Sequence, residues 1–175
     1  MRLLSFLIFS FLLFNTSACK SQKAIAEKTL IADGKKLLKI DSLKNTSTKI
    51  YLIKNKKLEA LNTNGSLSYK IVDNPETSIL QFTYEKDMDK VAYDGGYKEE
   101  LIFEIPNKEG ELNYADAELQ STKMLFGRYC FCRGKAGLYV VKQGKLHVIS
   151  SKKETHFTLQ FKIDEVPQVT TEIKY

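Results

Sequence analysis

The sequence predicts an all-β fold, a single antiparallel β-sandwich or small β-barrel of about eight to ten short strands. Three observations carry that expectation. Apolar and polar residues alternate with a period of two, most plainly where Phe157, Leu159, Phe161 and Ile163 interleave with His156, Thr158, Gln160 and Lys162. Turn residues punctuate the chain at hairpin spacing. No comparably long stretch repeats its apolar residues at the helical period.

The chain opens MRLLSFLIFSFLLFNTSACKSQ. Arg2 supplies a positive start, and residues 3–14 are apolar apart from Ser5 and Ser10. That run is far shorter than the ~20 apolar residues needed to span a bilayer. The small residues Thr16, Ser17 and Ala18 follow, which is the layout of a secretory signal peptide over residues 1–18. Cys19 comes next. In Ser17, Ala18 and Cys19 the chain resembles the bacterial lipoproteins, whose signals end in a small residue before an invariant cysteine. Thr16 stands where those proteins usually carry leucine, and an ordinary signal peptidase would cut the same bond and leave Cys19 a free thiol. The resemblance implies lipid attachment at Cys19, through a diacylglyceryl thioether and an amide-linked acyl chain such as palmitate. At ~0.8 kcal/mol per buried CH₂, several chains anchor a protein essentially permanently. It also implies the outer membrane as destination, because Lys20 is not an inner-membrane retention signal; the side of the membrane stays open.

Residues 19–34 read as a lipidated N-terminus and tether, or as one short helix, and residues 35–175 as a single β-domain. Ile50-Tyr51-Leu52-Ile53 and the segment from Leu58 to Leu61 are short apolar runs. Asn64-Gly65 is a type I′ hairpin signal ahead of Leu67-Ser68-Tyr69-Lys70-Ile71. Asp73-Asn74-Pro75 breaks the chain. Leu80, Phe82 and Tyr84 then alternate, Asp94-Gly95-Gly96 turns, and Leu101, Phe103 and Ile105 alternate up to Pro106. Val169, Thr171, Ile173 and Tyr175 form an edge or closing strand. Its aromatic end is shared with outer-membrane barrels, but these strands are too charged and too short for a lipid-facing band.

A register follows from hairpin arithmetic. If Gln143-Gly144 is a two-residue turn, Val141 faces Leu146 and Val140 faces His147. If residues 151–154 are a four-residue loop, Ser150 faces Thr155, Val148 faces Phe157 and Leu146 faces Leu159. Both place Tyr139, Val141, Leu146, Val148, Phe157, Leu159 and Phe161 on the core face, and His147 and His156 on the outer one.

Composition narrows the function. Without residues 1–18 the chain carries 26 basic and 21 acidic residues, a net charge of +5. Residues 20–60 carry +7, residues 61–120 carry −8 and residues 121–175 carry +6, a pattern that could fold into a dipolar surface. Nucleic acid is a poor partner: the chain reads as exported, and its basic residues are nearly all lysine rather than the arginine that reads bases. No G-x-S-x-G, H-E-x-x-H or glycine-rich phosphate loop is present, so no catalytic residue and no cofactor is assigned. Glu85, Asp87 and Asp89 could share one side of a segment and bind calcium. The loop lacks the EF-hand pattern, with Ala92 at its sixth position and Lys98 at its twelfth, and with Lys86 and Lys90 interleaved it reads as a solvated turn.

The remaining candidates lie in GRYCFCRGK, which holds Cys130 and Cys132, two of the three cysteines. Zinc sites use C-x₂₋₄-C and H-x₃₋₅-H spacings; here they are C-x-C and H-x₈-H, so no metal is assigned. In a regular strand Cys130 and Cys132 share one face, while Tyr129 and Phe131 share the other. An inward Arg128 would be a costly unpaired charge, so the aromatics are expected inside and the thiols outside beside Arg128. Three states stay open for the pair: packed thiols, a labile disulfide, or a metal or redox role with Arg128 as flanking cation. The functional expectation is a lipid-anchored module that binds an envelope protein or small ligand. The alternatives are a periplasmic inhibitor or immunity-type lipoprotein, docking through its acidic middle or basic ends, and a thiol protein.

Overall fold

The computed structural model describes residues 28–33, 45–86 and 96–175; Cys19, the calcium candidates Asp87 and Asp89, and the Asp94-Gly95 turn lie outside them. The described residues form twelve strands and one short 3₁₀ segment, Asp116–Thr122. The strands are β1 (Lys28–Asp33), β2 (Thr46–Ile53), β3 (Lys56–Thr63), β4 (Ser66–Asp73), β5 (Thr77–Lys86) and β6 (Tyr97–Pro106). They continue as β7 (Gly110–Ala115), β8 (Leu125–Tyr129), β9 (Gly137–Val140), β10 (Gln143–Ser150), β11 (Thr155–Lys162) and β12 (Glu172–Lys174). All pairings are antiparallel. One sheet runs β1-β2-β5-β6-β8-β9, a second runs β12-β11-β10-β7, and β3 with β4 makes a separate hairpin. Both large sheets have free edges, so the fold is a sandwich rather than a closed barrel. No described helix is long and apolar enough to cross a membrane.

The main core fills the space between the two sheets. Leu80, Phe82 and Tyr84 of β5 and Leu101, Phe103 and Ile105 of β6 meet Leu146, Val148, Phe157, Leu159 and Phe161 from the other side. The edge-to-face pair Phe103–Phe157, with centroids 5.5 Å apart, bridges the sheets. The other face of the six-stranded sheet is covered too. Ile53, Ile79, Ile102 and Leu125 pack beneath Leu58, Leu67, Tyr69 and Ile71 of the β3–β4 hairpin. Covered on both faces, β6 is buried without a break over residues 99–105. The hairpin turns at Asn64 and Gly65, both at positive φ (52° and 80°), as the type I′ signal requires.

Three expectations are corrected. The segment read as tether or helix contains β1, an edge strand paired with β2 and shifted by a bulge between Leu30 and Ala32. Its Ile31 and Ala32 reach the main core, and that packing favours a strand over a short, weakly nucleated helix. There are more strands than about eight to ten, because β1, β9 and β12 are short pieces at sheet edges. Gln143-Gly144 is not a turn: the chain passes from β9 in one sheet to β10 in the other, and Gly144 lies in β10 opposite Phe161. A Cβ on Gly144 would come within 2.1 Å of the Gln160 carbonyl oxygen, so its glycine marks a close backbone approach. The second loop is as expected, with Ser150 opposite Thr155 and Leu146 opposite Leu159.

Candidate functional site

β8 brings the candidate residues to one end of the sandwich. Its inward side chains are Phe126 and Arg128, and its outward positions are Leu125, Gly127 and Tyr129. Arg128 is therefore inside, 8% exposed, while Tyr129 is 39% exposed and Phe131 89%. This reverses the expected facing. An inward Arg128 is tolerated because its charge is not unpaired. Arg128 Nε donates to Tyr97 Oη (3.4 Å), Nη1 donates to the Lys135 carbonyl (3.1 Å), and the guanidinium lies 5.3 Å from the centre of the Tyr97 ring.

The chain of contacts continues inward. Tyr97 Oη donates to Glu99 Oε1 (2.5 Å), and Glu99, fully buried directly across the ladder from Arg128, accepts from the backbone N–H of Val169 (2.5 Å) and Thr170 (2.7 Å). A buried carboxylate is tolerable when several donors face it. Burial, reinforced by the bond to Glu99 and opposed by Arg128, pushes the Tyr97 hydroxyl up to about 12. On the outer face Glu100 receives Tyr69 Oη (2.7 Å) and Gln81 Nε2 (2.8 Å), and Lys98 Nζ lies 3.8 Å away. Tyr129 is also pushed up to about 12, first by burial and then by the charge of Glu100.

Beyond Tyr129 the strand stops. Cys130 and Cys132 are joined by a disulfide, with Cα atoms 5.2 Å apart. Two strand rises would hold them at about 6.6 Å, so leaving the regular strand is what brings the sulfurs together. The loop is tied down three more times. Lys135 N–H donates to the Cys132 carbonyl (3.0 Å), Lys135 Nζ donates to the Glu165 carbonyl (3.0 Å), and Arg128 holds the Lys135 carbonyl. Gly134 supplies the positive φ (68°) that the turn needs. The tyrosine ring of Tyr129 lies back across Gly127, where a Cβ would sit 2.7 Å from it. What projects from this base is Phe131, beside a shallow hollow lined by Glu85, Lys86, Lys98, Tyr97 and Tyr129.

In the disulfide neither sulfur is a free nucleophile. The histidines lie on the other sheet, His147 against Glu111 (2.9 Å) and His156 against Glu154 (3.3 Å), so no Cys–His pair forms. Among the described residues no group of three His, Cys, Asp or Glu side chains could hold a metal ion. Sequence reasoning brought Cys130, Cys132 and Arg128 to one place but missed Tyr97 and Glu99. One signal was present: Glu99 shares the parity of Leu101 and Phe103, which puts a carboxylate on the core face and calls for a cation opposite it.

The chain matches no family model, no curated protein and no solved structure.

Proposed function

We propose that this chain is a membrane-anchored envelope lipoprotein that acts by binding, with the disulfide-closed tip at residues 130–132 docking into a partner protein. The observation that carries the reading is Phe131, an aromatic side chain almost wholly in water on a loop held by a disulfide, one backbone bond, a lysine ammonium and a buried arginine. Such a side chain contributes nothing to the core. Large aromatics are, however, the anchors that dominate binding energy once a pocket closes over them. Holding the loop in advance removes an ordering cost of about 0.5–1.5 kcal/mol for each side chain that would otherwise have to be immobilised. The leader and Cys19 support the anchored half of the reading, since acylation there would confine the tip to one surface. The same rigidity favours an inhibitor form of this function, because a stiff protruding loop suits an enzyme cleft better than a flexible one.

The test is site-specific photocrosslinking in intact cells with a photoreactive residue at position 131, compared with positions 149 and 156 on the other sheet. A discrete adduct from position 131 alone is expected. No adduct at 131, or the same adducts from all three positions, overturns tip docking.

A further inference from the structure

The opposite end of the sandwich holds a second feature. There the inner faces of the two sheets finish in hydroxyls instead of apolar groups: Ser78 on β5, Ser150 on β10 and Thr155 on β11. The sheets part around an open cleft of about 360 Å³ with Leu52 and Ile105 among its lining residues. Lys54, Lys108 and Lys152 also line it. Lys152 lies 3.9 Å from Glu109, whereas Lys54 and Lys108 form no ion pair with a described residue. The Ser78 hydroxyl donates to Asn107 Oδ1 (2.5 Å). The Ser150 hydroxyl is buried and has no hydrogen-bond partner among the described residues, an orphan in a molecule that otherwise satisfies most of its buried polar atoms.

The ladders place the start of the described chain at the cleft end. Lys28, the first residue of β1, is level with Ile53, Ile79 and Glu104, at the cleft end. The tip begins where Tyr129 pairs with Lys98, six residues further along β6, or about 20 Å at ~3.3 Å per residue. Eight residues lie between Cys19 and Lys28, a reach of at most about 30 Å. The described chain thus begins at the cleft end of the domain, about 20 Å from the tip, so the cleft is the end nearer to Cys19 along the chain.

We propose that the cleft receives the phosphate group of a lipid headgroup in the layer that holds the anchor. Lysine ammonium groups supply the charge, the hydroxyls of Ser150 and Thr155 supply hydrogen bonds, and the apolar floor takes the short carbon arm beside the phosphate. The placement rests on the anchored reading above; the phosphate chemistry does not.

The experiment uses the full chain carrying Cys19→Ala, so that acylation cannot mask weaker binding. Glycerol phosphate is titrated while the amide resonances of Ser78, Ser150 and Thr155 are followed, and flotation is measured with vesicles of phosphatidylcholine with and without phosphatidylglycerol. A lysine near an anionic surface strengthens binding about fivefold. Flotation with the anionic vesicles should therefore exceed that with neutral ones at least about tenfold, and the three amides should shift together. Lys54→Gln with Lys108→Gln and Lys152→Gln should abolish both effects, while Lys142→Gln with Lys145→Gln and Lys162→Gln should preserve them. Unmoved amides, equal flotation on the two vesicles, or equal loss in both triple variants would overturn the site. Acyl labelling of the wild type is read separately: an unlabelled chain that still titrates with phosphate sinks the anchor and keeps the cleft, and a labelled chain that ignores phosphate does the reverse.

Discussion

Glu99 is the residue on which this end of the molecule turns. Removing its carboxylate leaves the buried N–H of Thr170 and the partly buried N–H of Val169 and hydroxyl of Tyr97 without their acceptor. Each orphaned buried donor costs about 1–3 kcal/mol, so Glu99→Ala should lose at least about 3 kcal/mol in a urea melt. Phe131→Ala should change stability by no more than about 0.5 kcal/mol, as a surface substitution, while abolishing the crosslink at the tip. Cys130→Ser with Cys132→Ser should cost less than about 2 kcal/mol, because so small a loop restricts the unfolded chain little. The tyrosines set an alkaline limit. Tyr97 and Tyr129 titrate near 12 in the fold and near 10 in the unfolded chain, so their contribution is full below pH 10 and is lost as pH rises toward 12. Stability followed by denaturant midpoint should fall across that window, and Tyr129→Phe should make the fall shallower. The sequence shows which residues alternate around Arg128 but not what stands opposite them. Its inward facing was missed because the partners that make it affordable come from β6 and from the loop after β8.

At the scale of elements the β10–β11 hairpin was fully legible. Its four-residue loop and the alternation of large apolar side chains each specify the same register, and a slip of one residue would exchange the faces. Phe157→Ala or Phe161→Ala should cost about 3–5 kcal/mol as buried aromatic truncations. His156→Ala and Gln160→Ala should cost under about 1 kcal/mol as surface changes. Thermal melts of the four variants check this, and equal losses in both pairs would contradict the ladder. The neighbouring crossover was misread for a physical reason. In the sequence Gln143-Gly144 has the glycine of a turn, yet at its positive φ of 147° Gly144 admits the Gln160 carbonyl of the paired strand. Nothing local distinguishes a glycine needed for a turn from one needed for a close approach.

For the whole molecule, the all-β class was readable because the period of two persists through most strands. The choice of a sandwich over a barrel was not, since it depends on which strands lie at edges, and β2 pairs with β5, β6 with β8 and β7 with β10 across intervening strands. The expected site of lipid attachment belongs to this scale, because acylation at Cys19 would decide where the entire domain resides. Wild-type protein should enter the detergent phase in a Triton X-114 partition, and Cys19→Ala should move it to the aqueous phase. A wild type found in the aqueous phase would remove the membrane from the proposed function and leave the tip.

The β3–β4 hairpin lies against the six-stranded sheet as a lid would, and this predicts how the protein opens. A two-stranded hairpin has marginal stability by itself, and this one is held by a small apolar cluster and four polar ties: Leu58 N–H to Glu104, Tyr69 to Glu100, Lys123 to the Leu58 carbonyl, and the Thr77 hydroxyl to the Lys56 carbonyl. It should therefore detach as its own cooperative unit, at less free energy than the sandwich needs to unfold. In native-state hydrogen exchange the amides of β3 and β4 should form a fast-exchanging isotherm of their own. Those of β5 and β6 should exchange only through global unfolding, so the first water to reach Glu100 and Glu104 enters beneath the hairpin.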